Sequence, residues 1–182
     1  MKYFFLSMIL CVIGNIALGQ NRLQEISPEI SKKIEAEVEV QIPKLKLRLS
    51  KQELNADEIE FKIDTFRIET IASKRMEIDF STTGMNITVD ESTTSYDKLM
   101  NKYYGKLMKL LKPEDKKILI TAQKAWLLFR DAELKLIGTM TDDQYSGGGT
   151  IQSNIRMGQY SSLVVERTKD IFNYYNGIIK NE

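Results

Sequence analysis

The chain has 182 residues, a formal net charge of +1 and no histidine. It is long enough for one domain with a hydrophobic core, and its balanced charge argues against nucleic acid or an anionic membrane surface as a partner. The lack of histidine and the single cysteine, Cys11, remove the commonest general base and the usual transition-metal ligands. We therefore expect neither a metal nor a cofactor.

Residues 1–19 have the three parts of a secretory signal peptide. Lys2 supplies a positive charge, an apolar run follows, and small residues precede the predicted cleavage site before Gln20. The run is short for a membrane span, which needs about 20 residues, and Asn15 interrupts it. An uncleaved membrane anchor is the alternative. We predict a periplasmic or extracellular protein without a stable membrane span, and Cys11 is lost on cleavage.

The first mature segment has the apolar spacing of one long helix. Ser27 is the predicted N-cap and Pro28 the first helical residue, and Pro43 should kink the helix. The segments 38–42 and 45–49 also alternate with the period of a strand, which is the alternative interpretation. The apolar positions that share the helical face are Ile26, Ile30, Ile34, Val38, Ile42, Leu45 and Leu49.

A second helix is predicted to start after Asn55. Its apolar positions are Ile59, Ile63 and Phe66, although residues 58–63 also alternate like a strand. No hairpin turn follows, which favours the helix. We predict that residues 20–80 form an antiparallel helical hairpin.

The best internal boundary lies at residues 81–84, and polar residues continue to Ser95. A helix should start weakly there and become well defined from Tyr96. One face of this helix carries Leu99, Tyr103, Leu107 and Leu110. Another face carries a lysine stripe, which is either a solvated surface or an anion-binding surface. The lysine stripe consists of Lys98, Lys102, Lys106 and Lys109.

The next helix is predicted to begin at Pro113 and to end at Gly138. It carries the only tryptophan of the chain, Trp126. The face that includes Trp126 combines apolar and polar side chains, and the polar ones must be paired within the protein or meet a partner. The members of this face are Leu119, Gln123, Trp126, Arg130, Glu133 and Ile137.

Residues 139–150 are predicted to be a loop. It contains Asp142 and Asp143, an acidic pair too small for a calcium loop, and a run of three glycines. The glycines lack the lysine and hydroxyl of a P-loop, so a flexible turn is favoured over a phosphate site. A last helix should start near Ile151 and bury a set of apolar residues, namely Ile155, Leu163, Val164, Ile171, Phe172 and Tyr175.

The order of these motifs resembles the lysozyme inhibitor LprI-like domain, an all-helical module of exported bacterial proteins. The resemblance rests on Asp97, Asn101 and a nearby tyrosine, on the Gln-x-x-Trp-x-x-x-Arg-Asp-x-Glu element of residues 123–133, on a glycine-rich turn and on Arg167. It covers about residues 81–175.

The resemblance implies a periplasmic or surface protein, with lysozyme inhibition as the activity of the founding member. The chain departs from the family pattern because Leu134 stands where relatives commonly carry a cysteine, and the predicted mature chain has none. Packing must replace the disulfide. We therefore predict an all-α protein: an N-terminal helical hairpin, residues 20–80, followed by a small antiparallel bundle of about three helices, residues 81–182.

Two roles are open for the mainly polar positions of the motif. They are either a structural lock between helices, with Arg130 reaching Asp97 or Asn101, or contact residues for a partner. The set comprises Asp97, Asn101, Gln123, Trp126, Arg130, Glu133 and Arg167.

An enzyme is the least favoured class. Asp131 and Glu133 are two positions apart on a helix and diverge around it, so they make no glycosidase pair. The serines at 161 and 162 have no histidine to activate them.

Two binding functions are left. In the first, the protein blocks a lysozyme-type muramidase, with the acidic loop at Asp142 and Asp143 and the acidic run Glu35, Glu37 and Glu39 as contacts for a basic partner. In the second, it is an envelope or stress interaction module that binds anionic glycan or another envelope protein through the lysine stripe.

Overall fold

The computed structural model describes residues 25–180, so the predicted signal peptide and its cleavage site lie outside the described residues. Every regular element of this part of the chain is a helix, with no strand, and the all-α prediction is confirmed. The helices are α1 (Pro28–Glu39), α2 (Ile42–Leu49), α3 (Ala56–Ile78), α4 (Thr82–Leu110), α5 (Pro113–Met140), α6 (Asp143–Ser146) and α7 (Ile151–Ile179).

The N-terminal segment is helical, as the apolar spacing predicts. The Ser27 hydroxyl accepts a hydrogen bond from the Ile30 amide at 3.3 Å, which caps α1. The predicted kink is a break between α1 and α2, because Pro43 lies in the first turn of α2 and cannot donate a backbone hydrogen bond. The strand interpretation of this segment is wrong.

The α3 helix starts with the predicted cap. The Asn55 side-chain oxygen accepts from the Glu58 amide at 2.8 Å, and a Glu58 carboxylate oxygen accepts from the Asn55 amide at 3.0 Å. Both exchanges together form a capping box, which satisfies two backbone donors that the helix itself leaves unpaired. The strand alternative for residues 58–63 is therefore wrong as well.

The α1 helix contacts α3 through ion pairs on their exposed faces. Glu37 pairs with Lys74 at 2.8 Å, and Glu39 pairs with Arg67 at 2.6 Å. The later α1 residue, Glu39, pairs with the earlier α3 residue, Arg67, so the two helices run in opposite directions along this contact.

The α4 helix starts 14 residues before Tyr96, at Thr82, and runs unbroken. The expected weak start is wrong. Ser81 caps the helix, with its hydroxyl accepting from the Gly84 amide at 2.9 Å. Thr88 and Thr93 are buried, and the Thr93 hydroxyl donates to the Val89 carbonyl at 2.6 Å. Tertiary burial of these short polar side chains keeps the first turns helical where an amphipathic pattern is absent.

The core lies where α3, α4 and α7 meet. Tyr103 of α4 is fully buried, and its ring lies 5.4 Å from Phe61 and 4.9 Å from Phe172 in edge-to-face contacts. Phe61 and Phe172 stack at 3.9 Å. The predicted division at residue 80 therefore runs through one aromatic cluster, since Phe61 lies before it.

The C-terminal half differs from the sequence prediction at two points. Gly138 does not end α5, which continues to Met140, and a short helix α6 occupies part of the predicted loop. Gly147, Gly148 and Gly149 all have positive φ and form the turn into α7. Glycine is therefore required in that turn, where φ is positive, and not at Gly138, which has an ordinary helical backbone.

The α7 helix begins at Ile151, as predicted, and four of its six predicted core residues are buried: Val164, Ile171, Phe172 and Tyr175. Leu163 is half-buried and Ile155 is exposed, because the first turns of α7 extend beyond the core. Leu110 is exposed because Leu107 and Leu111, on either side of it, take the core-facing positions at the end of α4. Among residues 25–180, none of the helices combines the length and apolar content that crossing a bilayer requires.

Candidate functional site

The side chains around Trp126 join three helices. Arg167 of α7 donates from Nε to the Gln123 side-chain oxygen of α5 at 3.0 Å. The Gln123 amide nitrogen in turn lies 3.7 Å from the Met100 sulfur of α4. We call Met100, Gln123, Trp126, Arg130 and Arg167 the Trp126 cluster. Both polar atoms of the Gln123 side chain are thus matched inside the protein, as partly buried groups require.

Two arginines lie over the indole of Trp126. The Arg130 guanidinium carbon is 5.5 Å from the ring centroid and that of Arg167 is 5.8 Å away, both within the range of a cation–π interaction. The Arg130 guanidinium also donates two hydrogen bonds to Asp131, at 2.7 and 3.0 Å. Arg167 therefore connects helices, whereas Arg130 is bound to its own helix.

The other predicted members of the lock lie outside this cluster. Asn101 donates to Asp97 at 3.0 Å on the exposed side of α4, and no hydrogen bond or ion pair joins Arg130 to either residue within the described chain. Arg130 pairs with Asp131 instead of Asp97 or Asn101, because Asp131 places a carboxylate only one residue away. Glu133 is half-exposed and forms no ion pair among residues 25–180.

The lysine stripe is divided by its contacts with α3. Lys102 pairs with Asp64 at 2.6 Å and with Glu60 at 3.0 Å. Lys106 pairs with Asp57 and Glu60 and lies 5.0 Å from the Tyr103 ring centroid. Lys98 and Lys109 are exposed and form no ion pair in the described part of the chain. Half of the stripe thus holds α4 against α3.

The pKa values of these groups follow from the pairing. Hydrogen bonds from Lys106 and Lys102 lower the pKa of the Glu60 carboxyl below 4.5. Burial by itself disfavours charge on Lys102 and Lys106, but hydrogen bonds to the facing carboxylates outweigh it and raise the pKa of both ammonium groups above 10.5. All three groups stay charged over the neutral range.

The acidic candidates also differ in their contacts. Glu37 and Glu39 are neutralised by α3, as described above, and Glu35 lines a cavity of about 310 Å³ beside α3 and α4. Asp142 and Asp143 lie on the exposed connection between α5 and α7, where the Asp142 carboxylate accepts from the Gln144 amide at 3.1 Å. Of the two acidic sets, only that of the connection has all its carboxylates exposed and not paired with a lysine or arginine among residues 25–180.

The same cavity contains two polar groups that the sequence did not single out. The Arg75 Nε and the Thr88 hydroxyl are buried without a hydrogen-bond partner in the described residues. The charge of Arg75 is already matched, since its Nη2 lies 2.8 Å from Glu91. Only the interhelical geometry reveals this pair, because the two residues are 13 positions apart on different helices.

The exposed side of α5 is a second feature that sequence reasoning missed. Ile118, Leu128, Phe129, Leu136 and Met140 are all largely solvent-accessible. The available signal was the spacing of Ile118, Ala122, Ala125, Phe129, Ala132 and Leu136, which alternates steps of four and three residues.

Among residues 25–180, no three carboxylate, cysteine or histidine side chains come together in a way that could hold a metal ion. The charged pairs described above join helices, except for Arg130 and Asp131, which both lie on α5. The site is therefore best described as a set of interhelical contacts beside exposed surfaces available for binding.

Comparison with known proteins agrees with the order of motifs along the chain. Neither a curated protein nor a solved structure matches it. A family model described as lysozyme inhibitor LprI matches residues 73–171, which include α4, α5, α6, most of α7 and the whole Trp126 cluster. The match covers more than half of the chain, and the protein belongs to the lysozyme inhibitor LprI family.

Proposed function

We propose that this protein is an exported, non-enzymatic binding protein that blocks a lysozyme-type muramidase. The observation that carries the proposal is the family match over residues 73–171. Export rests on the predicted signal peptide of residues 1–19. Residues 81–182 are the proposed inhibitory domain and residues 20–80 the proposed supporting hairpin.

The proposed contact surface is the acidic connection between α5 and α7. Asp142 and Asp143 lie within the matched range, are exposed, and form no ion pair among residues 25–180. Muramidases of this type are often basic, so opposite charge would accelerate encounter and orient the two proteins. The acidic run on α1 is less suitable, because α3 already neutralises Glu37 and Glu39.

The alternative, an envelope module that binds anionic polymers through the lysine stripe, receives less support. Lys102 and Lys106 are committed to carboxylates of α3. An anion would have to compete with those pairs, and only Lys98 and Lys109 offer ammonium groups outside them. No observation specifically favours this second function.

A muramidase assay tests the proposal. The protein, purified from the periplasm after export, is titrated into a cell-wall lysis reaction, and inhibition that saturates at one inhibitor per enzyme is expected. Absence of inhibition at high micromolar inhibitor against several lysozyme types would contradict the proposed function.

A matched pair of variants tests the surface. Asp142→Asn with Asp143→Asn removes two charges and leaves an oxygen at 142 to cap α6, and we expect a weaker, less salt-sensitive inhibition. The control is Glu114→Gln with Asp115→Asn, the same charge change at the other end of α5, about 40 Å away at 1.5 Å per residue. If the two double variants lose inhibition equally, the connection is not the contact surface.

A further inference from the structure

The α5 helix carries seven of the sixteen large apolar residues that are exposed among residues 25–180. The α5 helix packs on α7 through a narrow strip, and only Leu119 and Ile137 of its residues are buried. Its exposed large apolar residues on the outer side are Ile118 (67% exposed), Leu128 (74%), Phe129 (51%), Leu136 (51%) and Met140 (52%). A helix that is apolar on several sides is normally covered on several sides.

The arrangement of the outer face favours another helix as its occupant. Ile118, Ala122, Ala125, Phe129, Ala132 and Leu136, here called the α5 stripe, alternate steps of four and three residues, and all six are exposed. This spacing is the one that keeps a seam of side chains against a partner helix. No charged residue interrupts the stripe between 118 and 136, so a strongly basic partner would gain no ion pair along it.

We propose that the α5 stripe is the interface of a symmetric dimer, in which the α5 helices of two copies pack antiparallel. The stripe combines three large residues, Ile118, Phe129 and Leu136, with three alanines. A two-fold axis near residue 127 places residue 129 of one copy opposite residue 125 of the other, so that Phe129 meets Ala125. The same axis places Leu136 opposite Ile118, and Ala122 opposite Ala132.

Packing at the centre of the seam favours the antiparallel arrangement. A parallel pair would place every residue of the stripe, including Phe129, against its own equivalent. In the antiparallel pair Phe129 faces Ala125 instead, which fills the centre of the seam more evenly, while Leu136 faces Ile118 and Ala122 faces Ala132 toward the ends. Antiparallel helix dipoles also attract each other, whereas parallel ones repel.

The area of the outer face matches that of a stable dimer. At roughly 200 Å² for a large apolar residue, the five exposed residues contribute on the order of 600 Å² per copy. Two copies would then bury about 1,200 Å², the lower limit of stable interfaces, when Leu128 and Met140, which flank the α5 stripe, are covered together with it. A patch of about 600 Å² is at the upper end of what a monomer leaves exposed.

The oligomeric state gives the first test. Sedimentation equilibrium of the protein purified from the periplasm should show a dimer that dissociates on dilution. Phe129→Glu places a charge in the seam and should shift the dissociation constant at least 100-fold, with unchanged circular dichroism because the side chain does not support the monomer. The matched control is Leu47→Glu, an exposed leucine on α2, which should leave the dimer intact.

Cross-linking tests the orientation. In a Cys11→Ser background, Leu128→Cys places a thiol near the two-fold axis, and a short bifunctional maleimide should link two copies. Lys117→Cys lies on the same side of α5 but ten residues from the axis, so its equivalents are about 30 Å apart in the antiparallel pair and should stay unlinked. Equal linking of both variants would overturn the antiparallel arrangement. A protein that is monomeric to millimolar concentration, or a dimer unaffected by Phe129→Glu, would overturn the interface itself.

Discussion

The α4–α7 pair and the α5 helix show how differently three helices of similar length can be held. These helices have 29, 29 and 28 residues, so length does not distinguish them. Tyr103, Val164 and Ile171 are enclosed between α4 and α7. The α5 helix instead rests on α7 through a narrow strip and the Trp126 cluster. The fold therefore depends on α4 and α7, whereas α5 keeps an apolar face exposed.

The largest expected effect is the difference in stability between alanine variants of two aromatic residues, one on α4 and one on α5. Tyr103→Ala removes the centre of the aromatic cluster and should lower the free energy of unfolding by about 3–5 kcal/mol, since a large cavity is left. Phe129→Ala, on the outer side of α5, should change it by less than about 0.5 kcal/mol. Urea denaturation measures both values, in dilute protein so that association does not contribute. Similar losses for the two variants would mean that α5 is as enclosed as α4.

The next effect concerns the two arginines over Trp126. Arg167→Leu leaves the partly buried Gln123 oxygen without its donor and should cost about 1–2 kcal/mol. Arg130→Leu removes only a surface pair with Asp131 and one ring contact, and should cost at most about 0.5 kcal/mol. Since Trp126 is the only tryptophan, its fluorescence reports the docking of α5, and circular dichroism reports global unfolding. A larger cost for Arg130→Leu would make Arg130 the anchor of the cluster instead.

Two glycine substitutions compare the α5 helix with the turn that follows it. Gly138 lies within α5, and an added methyl group would meet nothing within 4 Å, so Gly138→Ala should stabilise the protein by about 0.5–1 kcal/mol. Gly147 has φ of 78°, and Gly147→Ala should destabilise it by about 1 kcal/mol. Thermal denaturation of the two variants checks the opposite signs. If Gly138→Ala is also destabilising, the space beside Gly138 is needed for packing.

The smallest effect is the pH dependence of the contact between α3 and α4. The pKa of Glu60 is lowered in the folded state, so its stabilising contribution is complete above the ordinary pKa of 4.5 and is lost as the pH falls through the lower folded pKa. We expect the free energy of unfolding to fall below about pH 4.5. Glu60→Gln should reduce that slope by a few tenths of a kcal/mol, because the pair is partly exposed. Glu53→Gln, on the connection before α3, is a control that should leave the slope unchanged.

Much of the helical architecture was predictable from local patterns. Ser27, Asn55 and Pro113 mark helix starts by capping chemistry and by the fixed backbone of proline, and these are properties of a few neighbouring residues. The apolar steps of three and four likewise identify the buried faces of α4 and α7. The family motif around Trp126 was also visible, because its residues are close in sequence.

Other features required the tertiary structure. The early start of α4 depends on burial of Thr88 and Thr93, which no local pattern indicates. The partners of Lys102 and Lys106 lie 38 to 49 residues earlier in the chain. The choice of Asp131 over Asp97 for Arg130 depends on where α5 rests. These contacts arise between helices, and sequence spacing does not determine distances between helices.

The sequence by itself thus determined that the chain is helical, where most helices begin, and which family motif it carries, because capping, periodicity and short motifs are local. Only the tertiary structure decided which charged residues are saturated, which arginine connects the helices, and that α5 keeps an apolar face exposed. Those outcomes depend on how much of each helix its neighbours cover, and coverage is a property of the packed molecule.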